Sequence, residues 1–261
     1  MEGFIKLISY SQYKKNVKKY KRKILFFQIF IFISFLFVWQ YFVDNNIINS
    51  FITSSPKEII KTIISLYKNN NLLNHILITI KETSISFCIT TVLSLIISIL
   101  LYNFKTLGKI IDPYLTILNS LPKVSLGPII IIWCGSNIKS IIVMSILISI
   151  IVSVQSIYSG FENTSKDKIK LLKTFNASKA DILYYLVIPS NKKVILNTLK
   201  INISMCLIGV ITGEFLTSKA GIGYLILYGS QIFNLNLVMS GIILLMIISI
   251  VMYKLVTFIS K

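Results

Sequence analysis

Long apolar blocks, each near the roughly 20 residues that a helix needs to cross a bilayer, constrain this chain more than any other feature. Ile24–Val43, Thr83–Leu101, Ile141–Tyr158, Val194–Gly213 and Leu235–Thr257 all meet that length. A sixth stretch, Tyr114–Cys134, is long enough but carries Pro122 and Pro128. Six spans are expected. A soluble domain of 261 residues could not hide this much apolar side chain, since 54% of the residues are hydrophobic and only 14% charged, against about a quarter charged in soluble domains. Within hydrocarbon the backbone must satisfy its own polar groups, which leaves helices or a closed barrel. A barrel would alternate apolar and polar residues in segments of about ten. These blocks are apolar on every side, so the spans are helices.

The net charge of +18 invites a nucleic-acid partner, but the basic residues sort by membrane side instead. Eight precede Ile24 (Lys6, Lys14, Lys15, Lys18, Lys19, Lys21, Arg22 and Lys23), and seven more lie between Lys166 and Lys193. With Lys105, Lys109, Lys254 and Lys261, nineteen fall on one side of six spans, and five (Lys57, Lys61, Lys68, Lys139, Lys219) on the other. Basic residues collect on the cytoplasmic side of short loops. Both termini are therefore expected in the cytoplasm of a multi-pass plasma-membrane protein, with membrane lipid and not nucleic acid around it. The first block is too long for a cleavable signal and lacks a small-residue cleavage site, so it reads as a permanent span. Cys88, Cys134 and Cys206 fall inside spans without metal-ligand spacing and read as small buried hydrophobes.

The chain divides into a basic tail over 1–23, a first span with its external connection over 24–74, and a core of five spans over 75–257. Lys57–Tyr67 has helical spacing and predicts a short external helix. The cytoplasmic segment 159–193 is the informative connection. Thr164-Ser165-Lys166-Asp167 places a capping hydroxyl three residues before an acid, ahead of Ile169, Leu172 and Phe175 at helical spacing. Asn176 then supplies a residue that tolerates the left-handed conformation ending a helix. Ser178–Asp181 repeats the capping pattern, and Ile182, Leu183, Tyr185 and Leu186 form a second stripe before Pro189. Two short amphipathic helices meeting at a sharp bend are encoded locally. Periodicity leaves two uses open: resting on anionic lipid, or docking into a partner.

The stretch from Ile169 to Ile226, "IKLLKTFNASKADILYYLVIPSNKKVILNTLKINISMCLIGVITGEFLTSKAGIGYLI", resembles the signature region of binding-protein-dependent ABC importer permeases of type I. The resemblance is to the branch serving nitrate, sulfonate, taurine and thiamine-precursor uptake. Thr174-Phe175-Asn176-Ala177-Ser178 stands where that family has Thr-Leu-Gly-Ala-Ser, and Ile188-Pro189 matches its Leu-Pro or Ile-Pro. Lys170-Leu171-Leu172 replaces Glu-Ala-Ala, and Asn176 replaces Gly. The second exchange is mild because both residues accept the bend; the first reverses a charge. Asp112-Pro113 and "LPKVSLGPIIIIWCGSNIKS" from Leu121 resemble the family's broken third span. Glu214 with "GIGYLI" resembles its external turn into the last span, and "HILITIKE" from His75 falls where its core begins.

The resemblance implies an all-α, six-span permease fold of the MetI-like kind and a translocation pathway for a small solute, such as sulfonate, nitrate or a thiamine precursor. It implies two copies of an ABC ATPase subunit that bind the ATP and Mg, an extracytoplasmic solute-binding protein, and a permease homodimer. It places ATPase coupling on Lys170, Leu171, Leu172, Phe175, Asn176, Ala177, Ser178, Tyr184 and Pro189, with Phe175, Leu171, Leu172 and Tyr184 as the apolar contact. The chain itself lacks the G-x-x-x-x-G-K-[ST] phosphate loop, so it is expected to be a transport subunit, not an enzyme, with no cofactor of its own. Pro122 and Pro128 free backbone groups at membrane depth, which makes the third span a candidate pathway wall or a kink used for packing. Glu214 is a further pathway candidate, although residence at the external water interface suits it better, and Lys200 can snorkel to the cytoplasmic interface. His75 reads as an external boundary residue. A secondary transporter would show broken helices in both halves, and an intramembrane enzyme would need a nucleophile or metal constellation. A membrane scaffold would leave the capped hairpin unexplained.

Overall fold

A computed structural model describes residues 10–49, 53–69 and 72–259, and these are helical almost throughout. Lys6 and Lys261 of the charge pattern, and the first nine residues of the basic tail, lie outside them. The chain falls into two units, residues 1–61 and 62–261.

In the first unit, helix α1 runs Tyr10–Asp44 without a break. The span expected from Ile24 is thus the second part of a longer helix that begins within the basic tail. Nothing in Lys14–Lys23 breaks a helix, because Lys and Arg are good helix formers. Helix α2, Pro56–Lys68, which begins in the first unit and ends in the second, is the short helix that the spacing predicts. Proline opens it, where its missing N–H costs nothing, and Ser55 Oγ accepts the Glu58 amide (3.2 Å).

The second unit holds the other spans. Helix α3 is Leu72–Asn103, α4 is Lys105–Ser120 and α5 is Gly127–Cys134. Helices α6, Ile138–Glu162, and α9, Lys192–Thr217, are spans, and between them lie α7, Lys166–Thr174, and α8, Lys179–Ile182. Helix α10 is Ile222–Gln231 and α11 is Leu235–Ile259. Helices α1, α3, α6, α9 and α11 are each long and apolar enough to cross a membrane, and α4 with Lys123–Cys134, bent by 90° at the break between them, makes a sixth if the pair is counted as one broken span.

Helix α6 packs between α3 and α9, and the sequence explains how they approach so closely. Thr79, Thr83, Ser86, Thr90, Ser94 and Ser98 recur every three or four residues along α3, and all are buried. Ser145, Ser149 and Ser153 do the same on α6. On α9, Gly209 lies against the Ser145 backbone, and a Cβ on Gly213 would stand 2.9 Å from Ile141 Cα. Small side chains let membrane helices touch backbone to backbone, where dispersion contacts replace the hydrophobic drive that lipid cannot supply. Thr90 to Ser149 (3.0 Å), Ser145 to the Cys206 carbonyl (2.9 Å) and Asn202 to Thr91 (2.9 Å) fasten the seam. Such bonds average only about 0.6 kcal/mol within a membrane, so close packing carries more of the stability.

The break in the third span has one main cause. Leu121 is extended (ψ 142°) and precedes Pro122, whose ring disfavours the helical conformation in the residue before it. A short 3-10 turn, Lys123–Leu126, follows. Pro128 does not break the span: it sits in the first turn of α5, where no amide partner is lost. Pro113 lies inside α4.

Candidate functional site

Segment 159–193 forms a rigid hairpin at the end of α6. At its base Asn191 Nδ2 donates to Thr164 Oγ1 (2.8 Å) and to the Val187 carbonyl (2.9 Å), tying the start of the loop to its end. Ser165 caps α7 by accepting the Lys168 amide (3.5 Å). Asn176 then turns left-handed (φ +56°), and the Ala177 amide returns to the Leu172 carbonyl (3.1 Å), which stops the helix. Ser178 and Asp181 cap α8 reciprocally: the Asp181 amide donates to Ser178 Oγ (3.1 Å), while the Ser178 amide (2.9 Å) and hydroxyl (2.6 Å) donate to Asp181 Oδ2.

Beyond Ile182 the helix widens into a π segment, Leu183–Val187, before a last turn at Ile188–Ser190. Pro189 has no amide to give the Tyr185 carbonyl, and the wider register absorbs that missing bond.

The hairpin has two faces. Ile169, Leu172, Ala177, Leu183 and Leu186 pack inward on Ile157, Phe161, Ile182 and Val187. Leu171 (58% exposed), Phe175 (73%), Tyr184 (67%) and Tyr185 (70%) point outward, with the two tyrosines edge to face (5.0 Å). Of the residues assigned to coupling, Leu171, Phe175 and Tyr184 are free to touch a partner. Leu172 instead supports the hairpin from beneath, and Ala177 is also turned inward. Asn176 and Ser178 shape the bend, Pro189 sets the π register, and Lys170 is solvent-exposed beside Asp167 (4.0 Å), a surface pair worth little. Tyr185, which spacing placed on the apolar stripe, joins the outward face because the π segment rotates it there.

The bonds from Ser178 hold the Asp181 carboxyl below its usual range, since they favour the charged form. The capping contribution is therefore present above the ordinary aspartate range and is lost as pH falls through the depressed native value. Amides of Ser178, Asp181 and Ile182, which the cap binds, are expected to exchange slowly at neutral pH and to lose protection on strong acidification. Asp181→Ala should show the unprotected pattern already at neutral pH, measured by hydrogen–deuterium exchange.

At the opposite end of the bundle Glu214 is fully buried among protein groups, not open to water as an interfacial side chain would be. Its Oε1 accepts the Thr79 hydroxyl (2.7 Å) and its Oε2 the Gly223 amide (2.5 Å). Thr79 Oγ1 in turn accepts the Ile222 amide (2.9 Å), and His75 Nδ1 accepts that of Gly221 (3.0 Å). Three side chains from α3 and α9 thus satisfy the orphan amides that open α10. Gly221 adopts φ +114° with its α-carbon against the Glu214 carboxyl, leaving no room for a Cβ. Pro122 and Pro128 are exposed on the surface of the chain, as is Trp133 on α5. Among the described residues no three His, Cys, Asp or Glu side chains gather as metal ligands.

Among the described residues, five apolar helices of membrane-spanning length, of which α3, α6 and α9 pack through a small-residue seam, and a capped hairpin between α6 and α9 fit a membrane permease of the ABC-importer class. Residues 90–261 match the family described as "Binding-protein-dependent transport system inner membrane component", and the chain belongs to that family. It is similar to a probable ABC transporter permease protein of Haemophilus influenzae (27% identical, covering 84% of this chain and 88% of the relative). It is also similar to the formylaminopyrimidine transport permease protein ThiX of Halalkalibacterium halodurans (26% identical; 67% and 69%). A third relative is the putative aliphatic sulfonates transport permease protein SsuC of Bacillus subtilis (22% identical; 81% and 76%).

Proposed function

We propose that this chain forms the translocation pathway for a small solute and is driven by a separate ATPase gripped through segment 159–193. The observation that carries the coupling role is the outward set Leu171, Phe175, Tyr184 and Tyr185 on a hairpin whose caps and inward face fix its shape. Exposed aromatic anchors on a rigid element are what a partner cleft recognises, and the surrounding lysines steer the approach of an acidic rim. Two permease copies with two ATPase subunits, which bind ATP and Mg, form the simplest assembly, fed by an extracytoplasmic solute-binding protein. Both termini are cytoplasmic in this arrangement. The domain division proposed is a basic tail (1–23), a first span with its connection (24–74) and a permease core (75–257). The exposed Pro122 and Pro128 of the broken third span are assigned to the pathway wall in this reading.

The solute belongs to the class carried by the relatives, namely sulfonates, nitrate or a thiamine precursor such as a formylaminopyrimidine. Detergent-solubilised chain is expected to co-purify an ATPase bearing a phosphate loop. Proteoliposomes holding the complex and its binding protein are expected to import one of these solutes only with ATP. Uptake that persists without ATP or any ATPase would establish a secondary transporter instead.

A further inference from the structure

Glu82 is not explained by any role above. It lies on α3, one turn beyond Thr79, and is only 2% exposed, yet neither carboxyl oxygen has a hydrogen-bond donor. Its side chain faces the Glu214 carboxyl across the α3–α9 contact. The Thr79 hydroxyl and the amides of Gly223 and Tyr224 all serve Glu214, and the buried Ser86 hydroxyl, one turn further along α3, makes no bond to Glu82. The N-terminus of α10, ten residues long, supports negative charge there, but only at Glu214.

No cation compensates a second charge. The ion pairs among the described residues are Lys61–Glu58 and Lys170–Asp167, and neither touches this cluster. On α3 the nearby titratable groups are His75, occupied with the Gly221 amide, and Lys81, which is exposed. Helix α6 meets the neighbouring turn of α9 with uncharged Ile141. Helix α10 brings Tyr224 and Tyr228 but no charge, and α11 has no charged residue before Lys254.

Two facing anions in a low-dielectric interior repel strongly, and one carboxyl of such a pair stays protonated. A carboxylate has about four acceptor sites, and Glu214 uses three. A neutral carboxyl at Glu82 would have an O–H to donate and a free acceptor directly opposite. We propose that Glu82 and Glu214 form an acid–carboxylate pair that holds one proton between α3 and α9. Glu82 donates and Glu214 accepts, so the proton completes a clasp binding α3 and α9 to the start of α10. Losing it to bulk water leaves two unscreened anions and loosens that end of the bundle.

Infrared spectra of the purified full-length chain, taken across a pH series, test this directly. At neutral pH the wild type is expected to show a protonated-carboxyl C=O band that is missing in Glu82→Gln. The Gln amide can still donate to Glu214, so the variant should keep wild-type helix content and melting temperature. As pH rises, the wild-type band should fade while its melting temperature drops by several degrees, and Glu82→Gln should show no such drop. This wild-type correlation stands on its own if the variant folds poorly. The other described acids are exposed or half-exposed, which separates their signal from the pair's. Absence of the band in neutral wild type would overturn the assignment, as would its persistence in a folded Glu82→Gln. So would a melting temperature that rises with added sodium or calcium, because a metal ion would then hold the two carboxylates.

Discussion

Changing Leu171 and Phe175 together to aspartate is expected to abolish ATPase capture and ATP-driven uptake while leaving the chain in the membrane. Both side chains point away from the hairpin, so the substitutions remove contact surface without touching the packing beneath. Truncating one central anchor of an interface costs about 2 kcal/mol or more. Two such losses, about 4 kcal/mol, correspond to roughly a thousandfold in affinity, and the introduced carboxylates add desolvation cost. Co-purification of the ATPase and ATP-dependent uptake in proteoliposomes are the readouts. Leu172→Asp is the informative contrast. That side chain packs against the buried cluster of Ile157, Phe161, Ile182 and Val187, so its replacement should loosen the hairpin and raise hydrogen exchange across 165–187. Unaltered ATPase recovery by the Leu171/Phe175 double variant would place the docking surface elsewhere.

Gly209→Val is expected to give the largest stability loss. Gly209 meets the Ser145 backbone with no space for a Cβ, and helix backbones cannot yield as a flexible side chain can. Overpacking typically costs about 1–3 kcal/mol, and more where backbone must shift. At about 2–4 °C per kcal/mol for a chain of this size, a 3 kcal/mol loss lowers the melting temperature by roughly 6–12 °C. The damage should extend to the Ser145–Cys206 bond (2.9 Å), because it requires the same close approach. Gly213→Ala, 2.9 Å from Ile141 Cα, is expected to be milder. Thermal melting in detergent compares the two, and a Gly209→Val melting temperature equal to wild type would mean that the α6–α9 seam is looser than described.

Much of the hairpin was legible because each signal acts within a few residues. Ser178 with Asp181 announces a reciprocal cap, and Asn176 announces a left-handed stop; both occur as the spacing predicts. The break before Pro122 is equally local, since the ring acts on the residue before it. Leu171 and Leu172 show where such signals end. They are adjacent and chemically identical, and only the packing of α7 on α6 and α8 decides which one faces inward. Tyr185 was placed on the apolar stripe by α-helical spacing, which a π segment does not follow. Hydropathy measures depth and not neighbours, so it could not show the bonds that Glu214 and His75 make. Thr79 lies 135 positions from Glu214, and Gly221 lies 146 positions from His75. Glu82 closes the HILITIKE stretch, but one acid in a span has no visible partner until helices pack.

The succession of apolar stretches, the uneven spread of lysines and the short-range caps made this a many-helix membrane protein with a bent polar hairpin before any helix met another. Those properties arise from hydrocarbon solvation and from contacts spanning a turn or less. Which glycine touches which serine, which leucine faces outward, and which two glutamates are buried were settled only by tertiary packing. Contacts between residues more than a hundred positions apart depend on how whole helices rotate and cross, and no local periodicity records that.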